Sequence, residues 1–204
     1  MALILVLSVL LGSCSSLHKI EYDRENNVYT DTKTGIVYTD APGCYEPVQI
    51  GDEYARWKVN KDASIVLHVI GDMDPAKWLC EEGKTVFYAE GVTLPTLREM
   101  APETLYICVE ATLTMALATL TDAEVIERAI TLWESAESIP YSGKEPTQNL
   151  RIKFASGAYP GLYYSLIYLE YSDGSRVLYD RSSGRCVEAG DLFEAYVGGG
   201  TAET

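Results

Sequence analysis

The segment TDAEVIERAITLWESAE, residues 121–137, decides the fold class, because it is the clearest amphipathic helix in the chain. Thr121 and Glu124 have the spacing of a capping box at its start. The apolar side chains recur at spacings of three, four and one and share one face: Val125, Ile126, Ala129, Ile130, Trp133 and Ala136. The pattern predicts a helix over about 122–137, ending before Pro140 and packed on a sheet.

The sequence around this helix favours strands joined by tight turns. Residues 28–30 and 36–39 flank a turn that ends in Gly35, which predicts a hairpin. Residues 64–70, SIVLHVI, are the best single strand, and Asp173-Gly174 is a strong hairpin turn after the long helix. We therefore predict an α+β fold, with antiparallel sheet, the helix at about 122–137 packed on it and a β-rich N-terminal half.

Two shorter segments carry helix-boundary signals. Asp74 suits an N-cap, Pro75 the first helical position and Gly83 the position after the last turn, so residues 74–83 are predicted as a short helix. Asp191 is placed to cap a final short helix over 192–197.

The N-terminal residues MALILVLSVLLGSC, 1–14, combine an apolar run with small residues and a cysteine. The run is too short to span a membrane and is typical of a secretory signal. Leu11-Gly12-Ser13-Cys14 resembles the bacterial lipobox, a resemblance that covers residues 1–16 only. No Lys or Arg precedes the run, which departs from the usual pattern and leaves an upstream start open. An ordinary cleaved signal and a buried N-terminal strand are the alternatives.

The lipobox resemblance implies a location and a domain order. Residues 1–13 would be a signal peptide, and Cys14 would carry the lipid, including a palmitate chain, on the extracytoplasmic face of the cell membrane. Residues 14–27 are predicted as a tether and 198–204 as a flexible tail. Residues 28–197 are predicted as a single α+β domain, with a division into two lobes near 91–104 as the alternative.

The composition excludes several classes of protein. A hydrophobic fraction of 47% with 23% charged residues is typical of a globular chain, so disorder is not expected. The 16 Lys and Arg against 30 Asp and Glu give a formal net charge of −14, which repels phosphate backbones. We therefore expect no nucleic-acid partner.

The reactive side chains form no recognisable catalytic or metal-binding motif. Four cysteines follow Cys14 without C-x-x-C spacing, and whether they form disulfides is left open: Cys44, Cys80, Cys108 and Cys186. The two histidines lie in the predicted tether, His18, and in an apolar strand, His68. The sequence therefore identifies no catalytic residue, cofactor or metal ligand.

Tyrosine is abundant, with 15 residues against 3 Phe and 3 Trp. Enrichment of tyrosine in half-buried strands explains this without a ligand. The functional alternative is an exposed aromatic groove that stacks on glycans. Its candidate residues are Tyr159, Tyr163, Tyr164, Tyr168 and Trp57.

Three classes of function remain. The sequence favours a non-catalytic, membrane-anchored lipoprotein with a binding or interaction role at the bacterial cell envelope, whose partner is an unknown envelope protein or glycan. The first alternative is an extracytoplasmic glycan or peptidoglycan hydrolase that uses carboxylates. The second is a structural role in a larger membrane complex.

Overall fold

The computed structural model describes residues 17–109 and 116–197 of the chain. The predicted signal, the lipidation site Cys14 and the tail 198–204 lie outside the described residues. Strands form 43% and helices 10% of the described part, with one helix of seven residues or more. The α+β prediction is therefore wrong: the described fold is mainly β, with a closed barrel and a second sheet.

The N-terminal part is a closed seven-stranded barrel. Its strands are β1 His18–Asp23, β2 Val28–Asp31, β3 Val37–Asp40, β5 Ile50–Lys58, β6 Ser64–Ile70, β7 Trp78–Glu81 and β8 Val86–Ala89. Around the barrel they run in the order β1-β2-β3-β8-β7-β6-β5. All pairings are antiparallel except the parallel pairing of β1 with β5, which closes the ring.

Closure of the barrel corrects the predicted tether. The described residues of the segment 14–27 include β1, in which Ile20 pairs with Asp31 on one side and with Trp57 on the other. Without β1 the edges of β2 and β5 would expose unpaired backbone groups. The interior that this ring encloses contains Tyr29, Tyr38, Leu67, Leu79 and Phe87, all buried.

The predicted helix at 74–83 is also wrong. Residues Trp78–Glu81 form β7, which pairs with β6 on one side and β8 on the other. Asp74 and Pro75, which predicted the start of the helix, form a turn instead, in which the Ala76 N–H donates to the Asp74 carboxylate at 2.9 Å. Pairing on both sides and burial of Trp78 and Leu79 outweigh the local preference for a helix.

The second sheet has seven strands. The strands are β4 Tyr45–Pro47, β9 Thr104–Cys108, β10 Ala116–Leu120, β11 Gln148–Ala155, β12 Leu162–Glu170, β13 Arg176–Tyr179 and β14 Cys186–Glu188. The main order is β10-β9-β11-β12-β13-β14, and β4 pairs with the first half of β12. Because β4 precedes the rest by more than fifty residues, it ties the barrel segment to this sheet.

Helix α1, Ala123–Ser135, covers one face of the second sheet. Its N-cap is Asp122, which accepts from the Glu124 N–H at 2.8 Å, so the predicted capping role of Thr121 is wrong. Trp133 is buried and donates from its indole N–H to the Tyr164 hydroxyl at 3.3 Å. The final helix, α2, is Glu194–Val197. Among the described residues, no helix covers the opposite face of the second sheet.

Candidate functional site

The structure does not bring the five candidate stacking residues into one groove. Trp57 is half-buried in the barrel cluster, 5.1 Å from Tyr29. Tyr164 and Tyr168 lie on the face of the second sheet that α1 covers. Tyr163 lies on the opposite face, and Tyr159 packs between the barrel and the sheet. An aromatic groove made of these five residues is therefore absent from the described structure.

The face of the second sheet that α1 leaves uncovered carries three buried polar residues, Glu46, Lys153 and Ser165. Directly paired residues share a face, and Arg151 on β11 pairs with Ile167 on β12, which pairs with Tyr179 on β13. In the next row, Lys153 pairs with Ser165. Because successive side chains of a strand point to opposite faces, these five side chains lie on one surface of the sheet.

A cavity of about 240 Å³ opens on this surface, and we call it the polar pocket. It lies between β11, β12, the β4 segment and the turn after β13. Its lining residues are Gly43, Glu46, Arg151, Ser165, Ile167, Tyr179, Asp180, Arg181 and Ser182. Residues with two guanidinium groups, two carboxylates and three hydroxyls thus line a small space.

The charge of Glu46, one of the two lining carboxylates, is neutralised by a buried lysine behind the pocket lining. The Lys153 ammonium lies 2.6 Å from the Glu46 carboxylate, and both residues are buried. Lys153 also lies 5.3 Å from the centre of the Tyr163 ring. A buried pair of this kind keeps its charges only when both partners are present, because a lone buried ion is strongly disfavoured.

The second carboxylate of the pocket, Asp180, accepts hydrogen bonds from residues of its own turn. Asp180 accepts hydrogen bonds from the backbone N–H and the hydroxyl of Ser182, at 2.9 and 2.6 Å. It also accepts from the backbone N–H and the hydroxyl of Ser183, at 3.2 and 2.5 Å. These four donors satisfy both carboxylate oxygens of a buried residue.

Several donors of the polar pocket have no hydrogen-bond partner among the described residues, and those of Ser165 and Arg151 lie on the neighbouring strands β12 and β11. The hydroxyl of Ser165 is buried, with the residue 4% exposed, and makes no hydrogen bond there. Arg151 is half-buried, and its guanidinium makes no hydrogen bond or ion pair among the described residues. Buried polar groups normally have partners, so the unsatisfied Ser165 hydroxyl, beside the half-exposed Arg151 guanidinium, indicates a place for an external acceptor.

A larger cavity of about 400 Å³ lies farther along the same face. Its walls are mostly apolar and include Ile139, Pro140, Val177 and Cys186, while Lys144 and Arg176 lie at its edge. Tyr171 lines it with a buried hydroxyl that has no described partner. The stacked rings of Tyr141 and Tyr179, 4.3 Å apart, lie on the same face.

The barrel holds a second group of polar side chains around Asp31. This residue is fully buried and accepts from the His18 ring at 2.7 Å, from the Thr34 hydroxyl at 2.8 Å and from the Lys33 backbone N–H at 2.9 Å. Burial opposes ionisation, but these hydrogen bonds outweigh it and lower the pKa of Asp31. No described Ser, Thr or Cys side chain bonds to the His18 ring, so the group lacks a nucleophile.

The described residues were compared with the requirements of a metal site, a disulfide and a membrane-spanning helix. They contain no group of three or more potential metal ligands. Cys44, Cys80, Cys108 and Cys186 are buried free thiols. None of the described helices has both the length and the apolar character that crossing a membrane requires.

Comparison with known proteins finds no relative. No protein-family model matches the chain, no curated protein matches its sequence, and no solved structure matches it. The site therefore has to be interpreted from its own geometry.

Sequence reasoning missed the polar pocket, although part of its signal is visible. In Leu150-Arg151-Ile152-Lys153-Phe154, cations alternate strictly with apolar residues, which places both cations on one face of β11. Lys153 is nevertheless buried, and its partner Glu46 is 107 positions away in sequence. The pairing that makes the pocket is thus long-range and leaves no local pattern.

Proposed function

We propose that this chain is a non-catalytic binding module of the bacterial cell envelope, anchored through a lipid on Cys14, with the polar pocket as its binding site. The anchor rests on the resemblance of Leu11–Cys14 to a lipobox. The binding role rests on one observation: the Ser165 hydroxyl is buried without a partner at the wall of a charged cavity.

The carboxylates of the pocket favour binding over hydrolysis. Glu46 and Asp180 both line it, as a glycosidase pair would. Glu46, however, is held by Lys153, and Asp180 accepts four hydrogen bonds from its own turn. A general acid must donate a hydrogen bond to the substrate, whereas these two carboxylates already accept hydrogen bonds from neighbouring side chains.

Retention of envelope components tests the binding role. The full-length protein is immobilised, exposed to an extract of envelope glycans, peptides and proteins, and compared with Ser165→Val, which replaces the hydroxyl by methyl groups. Ser64→Val, at the exposed start of β6, is the matched control. We expect a component that the wild type and the control retain and Ser165→Val loses, with all three proteins sharing one circular-dichroism spectrum.

Two results would contradict the binding role. Equal retention by Ser165→Val would exclude the polar pocket as the site. Chemical turnover of a retained glycan, abolished by substitution of Glu46 or Asp180, would replace the non-catalytic function with a hydrolase.

The anchor is tested separately by intact mass after expression in a bacterium. We expect loss of residues 1–13 and a lipid adduct on Cys14, with Cys14→Ser released from the membrane fraction. An unmodified Cys14 in a protein that retains residues 1–13 would contradict it.

A further inference from the structure

We infer that the polar pocket takes a carboxylate group, held by the Arg151 guanidinium and the Ser165 hydroxyl. This inference rests on the proposed binding function and names the chemical class of its ligand. Both groups donate hydrogen bonds, and neither has an acceptor among the described residues.

The charges around the pocket favour an anion with a single charge. Lys153 and Glu46 neutralise each other at 2.6 Å, and the other charged residues of the lining are Arg151, Arg181 and Asp180. Together they leave one positive charge without a compensating carboxylate. One carboxylate would balance it, whereas the second charge of a phosphate dianion would face the carboxylates of Glu46 and Asp180.

The geometry suits a planar, two-oxygen acceptor. Arg151 pairs directly with Ile167, and Ser165 lies two residues before Ile167 on the same face of β12. Diagonal neighbours of this kind lie roughly 7–8 Å apart, which leaves room for one carboxylate between a long side chain and a short one. A guanidinium fork can donate two parallel hydrogen bonds to a carboxylate, and the hydroxyl can donate a third.

The wall of the pocket strengthens these hydrogen bonds. Ile167 is 6% exposed and lies next to both donors on the same face, so water is partly excluded from the space that they share. Electrostatic attraction between a guanidinium and a carboxylate increases as the surroundings become less polar. A carboxylate therefore gains more here than at an exposed arginine such as Arg24.

Nuclear magnetic resonance of the full-length chain, with ¹⁵N in its arginine side chains, tests the inference. The probes are N-acetylglycine, its uncharged amide N-acetylglycinamide, and inorganic phosphate, each titrated to the upper millimolar range. We expect N-acetylglycine to shift the Arg151 Nε–H signal saturably and the amide to leave it unchanged. This comparison uses the wild-type protein and does not depend on the folding of any variant.

Variants identify the two donors. Arg151→Lys keeps the charge but loses the fork, and we expect it to weaken N-acetylglycine binding roughly tenfold. Ser165→Ala should weaken binding by a comparable factor, because it removes one hydrogen bond to a charged group. Arg24→Lys, on the exposed turn between β1 and β2, should leave binding unchanged.

The contrary results separate the inference from the proposed function. If phosphate or the amide shifts Arg151 as strongly as N-acetylglycine does, the carboxylate class is overturned while binding at the pocket stands. If no probe shifts Arg151 although envelope components are retained through the pocket, the inference fails alone. If Ser165→Val loses no envelope component and no probe shifts Arg151, both fail.

Discussion

Asp31 and Asp40 end two neighbouring strands of identical sequence, Val-Tyr-Thr-Asp, yet their surroundings are opposite. Because β2 and β3 are antiparallel, the two carboxylates lie at opposite ends of this part of the barrel. Asp31 accepts hydrogen bonds from His18, Thr34 and the Lys33 backbone. One oxygen of Asp40 is buried without a described partner. Identical local sequence therefore cannot tell which carboxylate the fold stabilises.

This contrast predicts opposite dependences of stability on pH. Burial raises the pKa of Asp40, and the nearby charge of Glu81 adds to the rise against an opposing hydrogen bond from Tyr29. A raised folded pKa means that Asp40 contributes stability below the unfolded pKa of about 4, which is lost as the pH rises through the folded pKa. The lowered pKa of Asp31 means that its contribution is present above about pH 4 and is lost as the pH falls through the folded pKa.

Two matched substitutions test these signs. At pH 7, Asp31→Asn should lower the free energy of unfolding by about 2 kcal/mol, because it weakens hydrogen bonds to a charged acceptor. Asp40→Asn should raise it at pH 7, and the gain should vanish well below pH 4. Urea denaturation from pH 3 to pH 8 measures both, and effects of the same sign at pH 7 would contradict the assignment.

Two buried tyrosines differ only in whether their hydroxyl has a partner. The Tyr45 hydroxyl donates to the Pro95 carbonyl at 2.5 Å, whereas the Tyr171 hydroxyl is buried without a described partner. Tyr45→Phe should cost about 1 kcal/mol of stability, and Tyr171→Phe should be neutral or stabilising, because it removes an unsatisfied group. Thermal unfolding of both variants measures the difference. A loss at Tyr171 equal to that at Tyr45 would show that its hydroxyl has an acceptor.

Helix α1 is the element that its own sequence predicts best. The apolar face predicted from the spacing is the buried face of the helix, since Ile126, Ala129, Ile130 and Trp133 are all buried. Its C-terminal carbonyls are satisfied from far along the chain, because Arg185 donates to the carbonyls of Trp133 and Ala136 at 2.8 and 2.7 Å. No sequence pattern near residue 135 predicts that Arg185 is the partner of these carbonyls.

Removal of Trp133 should be the costliest change in this helix. Trp133→Ala should lower the free energy of unfolding by about 3–5 kcal/mol, because it leaves a cavity between α1 and the sheet and removes the ring beneath Arg185 at 5.3 Å. Trp57→Ala, at a half-buried position in the barrel, should cost less. Urea denaturation of both variants makes the comparison, and a neutral Trp133→Ala would mean that the helix does not pack on the sheet.

At the scale of the whole molecule, the sequence predicted many strands but not how they assemble. The strands predicted at 28–30, 36–39 and 64–70 correspond to β2, β3 and β6, and the predicted turn at Asp173-Gly174 lies between β12 and β13. Closure of the barrel depends on the parallel pairing of β1 with β5, two segments about 35 residues apart, and β4 joins a strand far along the chain. Hydrophobic period is a local quantity, whereas closure and strand exchange are properties of distant pairs.

The same limit applies to the polar pocket. The alternation of Arg151 and Lys153 with apolar residues predicts one charged face on β11. That this face meets Glu46, Ser165 and Asp180 follows only from the order of strands in the second sheet. The sequence alone therefore predicts the charged face of β11 but not the pocket that this face helps to form.

Contact between the barrel and the second sheet depends on the absence of a side chain at Gly161. This buried residue immediately precedes β12, and a Cβ atom there would lie 2.2 Å from the Met73 sulfur and 3.0 Å from Ile70 Cγ2. Met73 follows β6 of the barrel and packs in the cluster that joins the two sheets. Any side chain at position 161 must displace Met73 or separate the barrel from the sheet.

Gly161→Ala should therefore lower the free energy of unfolding by about 1–3 kcal/mol through overpacking. Gly43→Ala is the matched control, because a Cβ there meets only Ser182 Cβ at 3.9 Å, and it should be close to neutral. If Met73 is the obstacle, Met73→Ala combined with Gly161→Ala should cost less than the sum of the two single changes. Urea denaturation of the four variants measures this coupling, and strict additivity would mean that the barrel and the sheet do not meet at Met73.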